Sequence, residues 1–277
     1  SAEPADRAGA AAAWREWIDG HGAEATWTTP LAPPPRQRGI TLVSLYQQDR
    51  VLELDAEGRV VWEMRDVTKP WATQGLPNGH RLVVQYPGKT LVEYDAMGRV
   101  FWRRDNLPGF VGSVQRLEGG NTLLAVANPD RLMELRPDGT VRWQLERPGR
   151  PTDARLLDNG NILVALGREG RVVELDRSGK VLWSIEGILR PYTARRIADG
   201  NTLVTEEGGQ RVVEYDARGR EVWVFLDVRE CYSAERLPDG RTLVADSDGV
   251  REVDRAGRAR WLFRNEASKV YVRATRY

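Results

Sequence analysis

Residues 211–225 read Arg211-Val-Val-Glu-Tyr-Asp216-Ala-Arg-Gly219-Arg-Glu-Val-Trp223-Val-Phe225. Two runs rich in β-branched and aromatic residues flank a turn at Gly219, and polar and apolar side chains alternate along them. That alternation predicts two antiparallel strands joined by a tight turn. The stretch recurs. Its skeleton, Glu-x-Asp-x-x-Gly-x-x-x-Trp, ends at Trp62, Trp102, Trp143, Trp183, Trp223 and Trp261. The glycines are Gly58, Gly98, Gly139, Gly179, Gly219 and Gly257, and the glutamates Glu53, Glu93, Glu134, Glu174, Glu214 and Glu252. The Asp position holds Asp55, Asp95, Asp176, Asp216 and Asp254, with Arg136 as the exception. Six copies spaced by about 40 residues are an internal repeat.

A second landmark precedes each later copy. It is a glycine turn followed by an apolar run, as in Asn78-Gly79 before Leu82-Val83-Val84 and Asn159-Gly160 before Ile162-Leu163-Val164. Gly120-Asn121, Asp199-Gly200 and Asp239-Gly240 continue the series. Such turns supply the positive φ that tight hairpins need. Each unit therefore reads as four short antiparallel strands, A to D outward from a central axis, which is the blade of a β-propeller. A lone blade cannot bury both faces, but a ring of them can.

The first unit begins at Gly39, aligned with the turn between strands A and B, so it lacks its own strand A. The proline-rich Pro30–Gln37 stretch cannot supply a well-paired inner strand. Val270–Tyr277 stands where a further strand A belongs. The expectation is an all-β, six-bladed propeller over residues 39–277, whose C-terminal strand completes the first blade. Removing residues 268–277 should then prevent stable folding. Residues 1–38 read as an arm with a short helix at Ala10–Asp19 and a proline-rich linker, docked outside the ring or plugging one mouth.

Composition removes several classes of function. With 41 basic and 40 acidic residues there is no electrostatic footprint for nucleic acid. No apolar run approaches the length of a membrane helix. One cysteine, Cys231, excludes an internal disulfide and multi-cysteine metal centres. Two histidines, His21 and His80, leave little room for His-based triads or metal sites. The motif tryptophans should pack between blades, and the six glutamates should act as inter-blade or turn acceptors.

The Asp-x-x-Gly-x-x-x-Trp repeat with its preceding Asn-Gly-Asn-x-Leu-Val stretch, clearest at Asn159–Val164, resembles the quinoprotein-like propeller superfamily. It looks closest to bacterial arylsulfotransferase-type and PQQ-binding-like repeats. The resemblance covers residues 39–277 and is specific for the repeat class rather than for an activity. Arylsulfotransferase chemistry, as the resemblance implies, uses a channel histidine helped by further histidines and an arginine. His80 follows a turn glycine on the face opposite the usual funnel, and His21 lies in the arm, so no catalytic residue carries over. The quinone dehydrogenases of this superfamily have eight blades and often adjacent cysteines. Neither feature fits this chain, and no cofactor is expected. Repeats of this type also resemble exported bacterial proteins, so a periplasmic or exported location is expected, with a cytoplasmic one open.

Ligand sites in propellers lie where inter-blade loops crowd around the channel. The residues at the mouths of the D–A loops form the column Lys69, Phe110, Arg150, Arg190, Glu230 and Lys269. Two residues on come Trp71, Gly112, Thr152, Tyr192, Tyr232 and Tyr271. Lys69, Arg150, Arg190 and Lys269 over Trp71, Tyr192, Tyr232 and Tyr271 would suit an anionic, partly planar ligand. The alternative is that the cations are solvated and the aromatics pack between inner strands. Asp246-Ser-Asp248-Gly249 is similar to part of a calcium loop but lacks the downstream glutamate, so it reads as a polar turn and no metal is expected. Cys231 reads as a buried, inert thiol. Two functions stay open: a non-catalytic propeller binding a small anionic ligand or a protein partner at this mouth, or a transferase, lyase or hydrolase using Arg, Tyr and carboxylates there.

Overall fold

Six four-stranded antiparallel sheets surround one axis in the computed structural model, which describes residues 39–87, 89–265 and 271–277. The expected helix at Ala10–Asp19 and the rim residue Lys269 lie outside the described residues. The innermost strands are Val272–Arg276, Pro70–Gly75, Phe110–Arg116, Pro151–Leu156, Pro191–Arg196 and Ser233–Arg236. Each touches the next in a closed circuit. The second and third strands of each blade carry the buried apolar residues, in clusters that bridge adjacent blades.

Ring closure follows the expected route. Val272–Arg276 pairs antiparallel with Thr41–Leu45, from Leu45 opposite Val272 to Thr41 opposite Arg276. The Tyr277 amide donates to the Ile40 carbonyl at 3.0 Å. The closing strand differs in one respect. The inner strands beginning at Pro70, Pro151 and Pro191 each carry a register shift near their start, as Pro151 pairs with Leu166 and Asp153 with Ala165. The closing strand pairs without a shift. Tyr271 therefore enters one position earlier than the Trp71, Tyr192 and Tyr232 column had assigned it.

The repeat motif explains itself locally. The Asp55 carboxylate accepts the amides of Glu57 at 3.0 Å and Arg59 at 2.8 Å, while Gly58 takes φ +85°. Only a residue without Cβ adopts that conformation at little cost. Where Arg136 replaces the aspartate, Asp138 takes over by accepting the Thr140 amide at 2.8 Å.

The motif glutamates are the joints between blades. Glu53, Glu93, Glu134, Glu174, Glu214 and Glu252 accept guanidinium bonds of 2.5–2.8 Å from Arg81, Arg116, Arg177, Arg196, Arg236 and Arg276 of the following blade. The arginine comes from the end of the inner strand in four blades. Gly75 and Leu156 occupy that place in the other two, and Arg81 and Arg177 reach the same carboxylates from other positions. The first five of these guanidiniums also lie 3.8–5.9 Å from the motif tryptophan of the preceding blade. The indole N–H groups of Trp143, Trp183 and Trp223 donate to next-blade carbonyls at 3.1, 2.8 and 3.0 Å. The tryptophans do pack between blades, but they are half-buried, because the strand carrying them is the outer edge of each sheet.

Candidate functional site

A strand's side chains alternate between its faces, so alternate residues of the inner strands line the axis in layers. At the D–A loop end the layer is aromatic. The Trp71 ring is central, with centroids 5.2–6.2 Å from those of Tyr46, Phe110, Tyr192, Tyr232 and Tyr271. Tyr232 lies 5.0 Å from both Tyr192 and Tyr271. Edge-to-face packing of this kind is favourable beyond the area it buries. Trp71, Tyr192 and Tyr232 are buried, while Tyr46, Phe110 and Tyr271 keep part of their rings open.

Beneath the aromatics is a second, charged layer. The Arg273 guanidinium crosses the axis from the closing strand to donate to the Gly112 carbonyl at 2.7 Å, and sits 5.6 Å from the Tyr192 ring centroid. Asp153 accepts the Ala194 amide at 3.1 Å and pairs with Arg195. Burial alone would raise the Asp153 carboxyl, but Arg195, Arg155 and Arg273 outweigh it and hold it at about 2. Burial pushes the Tyr192 and Tyr232 hydroxyls well above the ordinary phenol range, so both stay neutral.

Above the aromatics lies a cavity of about 570 Å³, walled by Arg150, Arg168, Arg190, Thr152 and Glu207 and floored by Trp71, Tyr192, Tyr232 and Tyr271. The structure thus brings together six of the eight residues singled out from the sequence. Arg190 is paired with Glu207 at 3.0 Å. The Arg150 and Arg168 side chains are exposed and form no hydrogen bond or ion pair among the described residues. Lys69 stands apart, with its ammonium 3.2 Å from Asp49 and 5.9 Å from the Tyr46 ring centre. Lys69, Arg190 and Glu230 have φ of +44°, +54° and +49°. Recurrence in three blades marks a shared turn into the inner strand rather than strain confined to one site.

The sequence columns do not include Arg168 or Glu207, because both belong to B–C loops while the columns follow the D–A loops. Nor do they include Tyr46, which belongs to the first blade's B strand end and reaches the axis sideways. Elsewhere the aspartates of the last B–C loop are occupied: Asp246 binds Arg251 at 2.6 Å and Asp248 pairs with Arg229. Cys231 is fully buried, and burial pushes its thiol far up, which leaves it unreactive in the folded chain. His80 lies at a blade seam with Nδ1 2.8 Å from Glu93, away from the aromatic layer.

Comparisons with known proteins bear on this geometry. The model of a PQQ-like repeat family, described as outer membrane protein assembly factor BamB, matches residues 6–165, 47–199 and 168–276. No curated protein matches the chain. Among solved structures, a Bacteroides caccae protein of unknown function is 18% identical, with a TM-score of 0.69 over 83% of this chain and 94% of that one. A catalytically inactive histidine-to-alanine form of virginiamycin B lyase from Staphylococcus aureus, solved with quinupristin, is 13% identical, with a TM-score of 0.56 over 72% and 70%. The WD40 propeller domain of Doa1 is 13% identical, with a TM-score of 0.62 over 84% and 81%. At these identities the likeness is one of fold.

Proposed function

The chain belongs to the PQQ-like repeat family described as outer membrane protein assembly factor BamB, and we propose that it is a non-catalytic propeller that binds an anionic group at the loop-lined mouth. One observation carries this reading. Arg150 and Arg168 present unpaired guanidiniums over a floor of Trp71, Tyr192, Tyr232 and Tyr271. Forked guanidiniums match carboxylate, sulfate or phosphate, and the partly open rings of Phe110 and Tyr271 offer faces to a planar substituent.

An enzyme built on the same residues would need a carboxylate poised to exchange a proton near neutral pH. Asp153, the carboxylate beneath Tyr192, is instead held at about 2, and both buried tyrosines are pushed upward. That pattern favours binding over turnover. The family's description names an assembly factor, which favours an anionic group carried on a partner protein. Leu189 and Leu226, exposed on consecutive D–A loops, offer apolar contact for such a partner. The same description favours an exported, periplasmic location.

The test is a thermal-shift series with sulfate, phosphate, aromatic carboxylates and aryl sulfates, the last motivated by the arylsulfotransferase-type likeness. A ligand at 100 times its dissociation constant adds about 2.7 kcal/mol of stability. The expected result is a shift with an aryl anion that disappears in Arg150→Ala plus Arg168→Ala. A shift that survives in that variant, or none from any probe, removes the small-anion form of the reading.

A further inference from the structure

The other end of the axis carries a different set of side chains. In chain order the channel-facing residues near the A–B turns are Gln74, Gln115, Arg155, Arg195, Glu235 and Thr275. Three of them do one job. Gln74, Gln115 and Glu235 accept the free-edge amides of Arg116, Leu156 and Arg276 on the next inner strand, at 2.6, 2.8 and 3.1 Å. An inner strand exposes such amides along its unpaired edge, and each needs an acceptor.

Arg155 and Arg195 stand in the same register but have no acceptor atom to offer. The equivalent edge amides, of Arg196 and Arg236, therefore receive no side-chain acceptor among the described residues, and both guanidiniums turn back toward the preceding blade. Donors accumulate at these two neighbouring seams. Arg155 donates Nη1 to the Val114 carbonyl at 3.0 Å, while its buried Nε lies 3.4 Å from Asp153 Oδ1 and makes no hydrogen bond of good geometry among the described residues. Arg195 spends Nη1 on Asp153 and on the Ala194 carbonyl. The Thr275 hydroxyl, from the closing strand, is also buried without a partner.

The charges do not balance locally. Arg155, Arg195 and Arg273 converge on Asp153, which is a single carboxylate. Glu235 is the second, and its burial outweighs the nearby arginines and favours the protonated acid. Arg196, Arg236 and Arg276 are already committed to Glu174, Glu214 and Glu252. Three guanidiniums sharing one carboxylate in a desolvated site favour a further anion. The space for one is present: a cavity of about 770 Å³ lined by Arg155, Arg195, Glu235, Thr275, Arg236 and Arg276. That size suits a small molecule.

We propose that this second mouth binds a small oxyanion, a phosphate or a di- or tricarboxylate, held by the Arg155 and Arg195 guanidiniums and the Thr275 hydroxyl. The site lies on the opposite side of the charged layer from the aromatic funnel, and it stands whether or not the funnel binds anything. Tyr277 is the one aromatic residue lining it among the described residues, so it selects for charge rather than for a planar substituent.

The experiment is calorimetric titration of the full chain with inorganic phosphate and, separately, citrate, against sodium chloride of equal ionic strength. One saturable site for at least one of them is expected. Arg155→Gln plus Arg195→Gln restores at both positions the amide acceptor that Gln74 and Gln115 supply but leaves buried Asp153 with Arg273 as its counter-charge, so a cooperative melt of the variant is checked first. Affinity should fall roughly tenfold or more. Arg150→Ala plus Arg168→Ala should leave this binding unchanged. Should the double glutamine variant fail to melt cooperatively, Thr275→Val removes one donor at constant shape and should weaken binding severalfold. No saturable binding of either anion overturns the proposal. So does undiminished binding in the folded glutamine variant, or in Thr275→Val, or its loss in the funnel variant.

Discussion

Glu252 of the last blade accepts a hydrogen bond from Arg276 of the closing strand at 2.7 Å, and the same guanidinium donates to Thr41 Oγ1 at 3.0 and 2.8 Å. One side chain thus joins the end of the ring, the strand that closes it and the strand that begins it. Arg241 and Arg260 also hold Glu252, so Arg276→Ala leaves that carboxylate partnered. The expected loss is about 1–3 kcal/mol, read from urea midpoints. Deleting residues 272–277 should abolish the cooperative transition, because it strips the first blade of its inner strand.

Glu214 is a stricter case. It is buried and receives Asn201, Arg236 and Arg255 at 2.8, 2.6 and 2.5 Å. Glu214→Ala leaves Arg236 buried without its counter-charge and should cost about 3–5 kcal/mol. Glu57→Ala, on an exposed turn, should stay within about 0.5 kcal/mol. Equal effects from the two would mean that the inter-blade bridges do not hold the ring.

Acid should loosen the ring through the same groups. Burial would raise the carboxyls of Glu134, Glu174, Glu214 and Glu252, but their arginine and asparagine partners outweigh it and lower all four. Asp153 is lowered to about 2. A lowered folded pKa means that the stabilisation is complete above the unfolded value, about 4. It is lost as pH falls through the folded value. Glu235 and Asp246 are raised by burial and act in the opposite sense, gaining on protonation. The net expectation is a melting temperature steady from pH 7 to about 5 that falls progressively toward pH 2. A melting temperature that rises over that lower interval would reverse the sign argued here.

The aromatic layer separates packing from polarity. Trp71→Ala opens a cavity among five rings and should cost about 3–5 kcal/mol. The Tyr192 hydroxyl is buried beside the Trp71 indole and makes no hydrogen bond of good geometry among the described residues. Tyr192→Phe should therefore be neutral or slightly stabilising by urea denaturation. A loss above about 1 kcal/mol would show that the hydroxyl is bonded in solution.

The ring, its six blades and its closure were legible because each blade repeats the same turn chemistry, and a positive-φ glycine after an aspartate has few other uses. The role of the glutamates was legible from their recurrence. Which arginine answers each was not, since Arg81 and Arg177 come from positions other than the one used by Arg116, Arg196, Arg236 and Arg276. The rim columns align in the structure for Trp71 and Tyr192, whose strands share a register shift, and Tyr232 packs in the same layer. They slipped by one at Tyr271, because the absence of that shift in the closing strand is a matter of pairing register. The second mouth escaped notice because its signal is negative: arginines at Arg155 and Arg195 where the pattern of Gln74 and Gln115 asks for an acceptor.

Trp71 and the rings around it, with Arg273 stretched across to Gly112 beneath them, stopper the axis. The propeller is therefore a pair of cups set base to base rather than a tube. The aromatic and charged layers stand between the two, so rim substitutions at one mouth leave the walls of the other untouched.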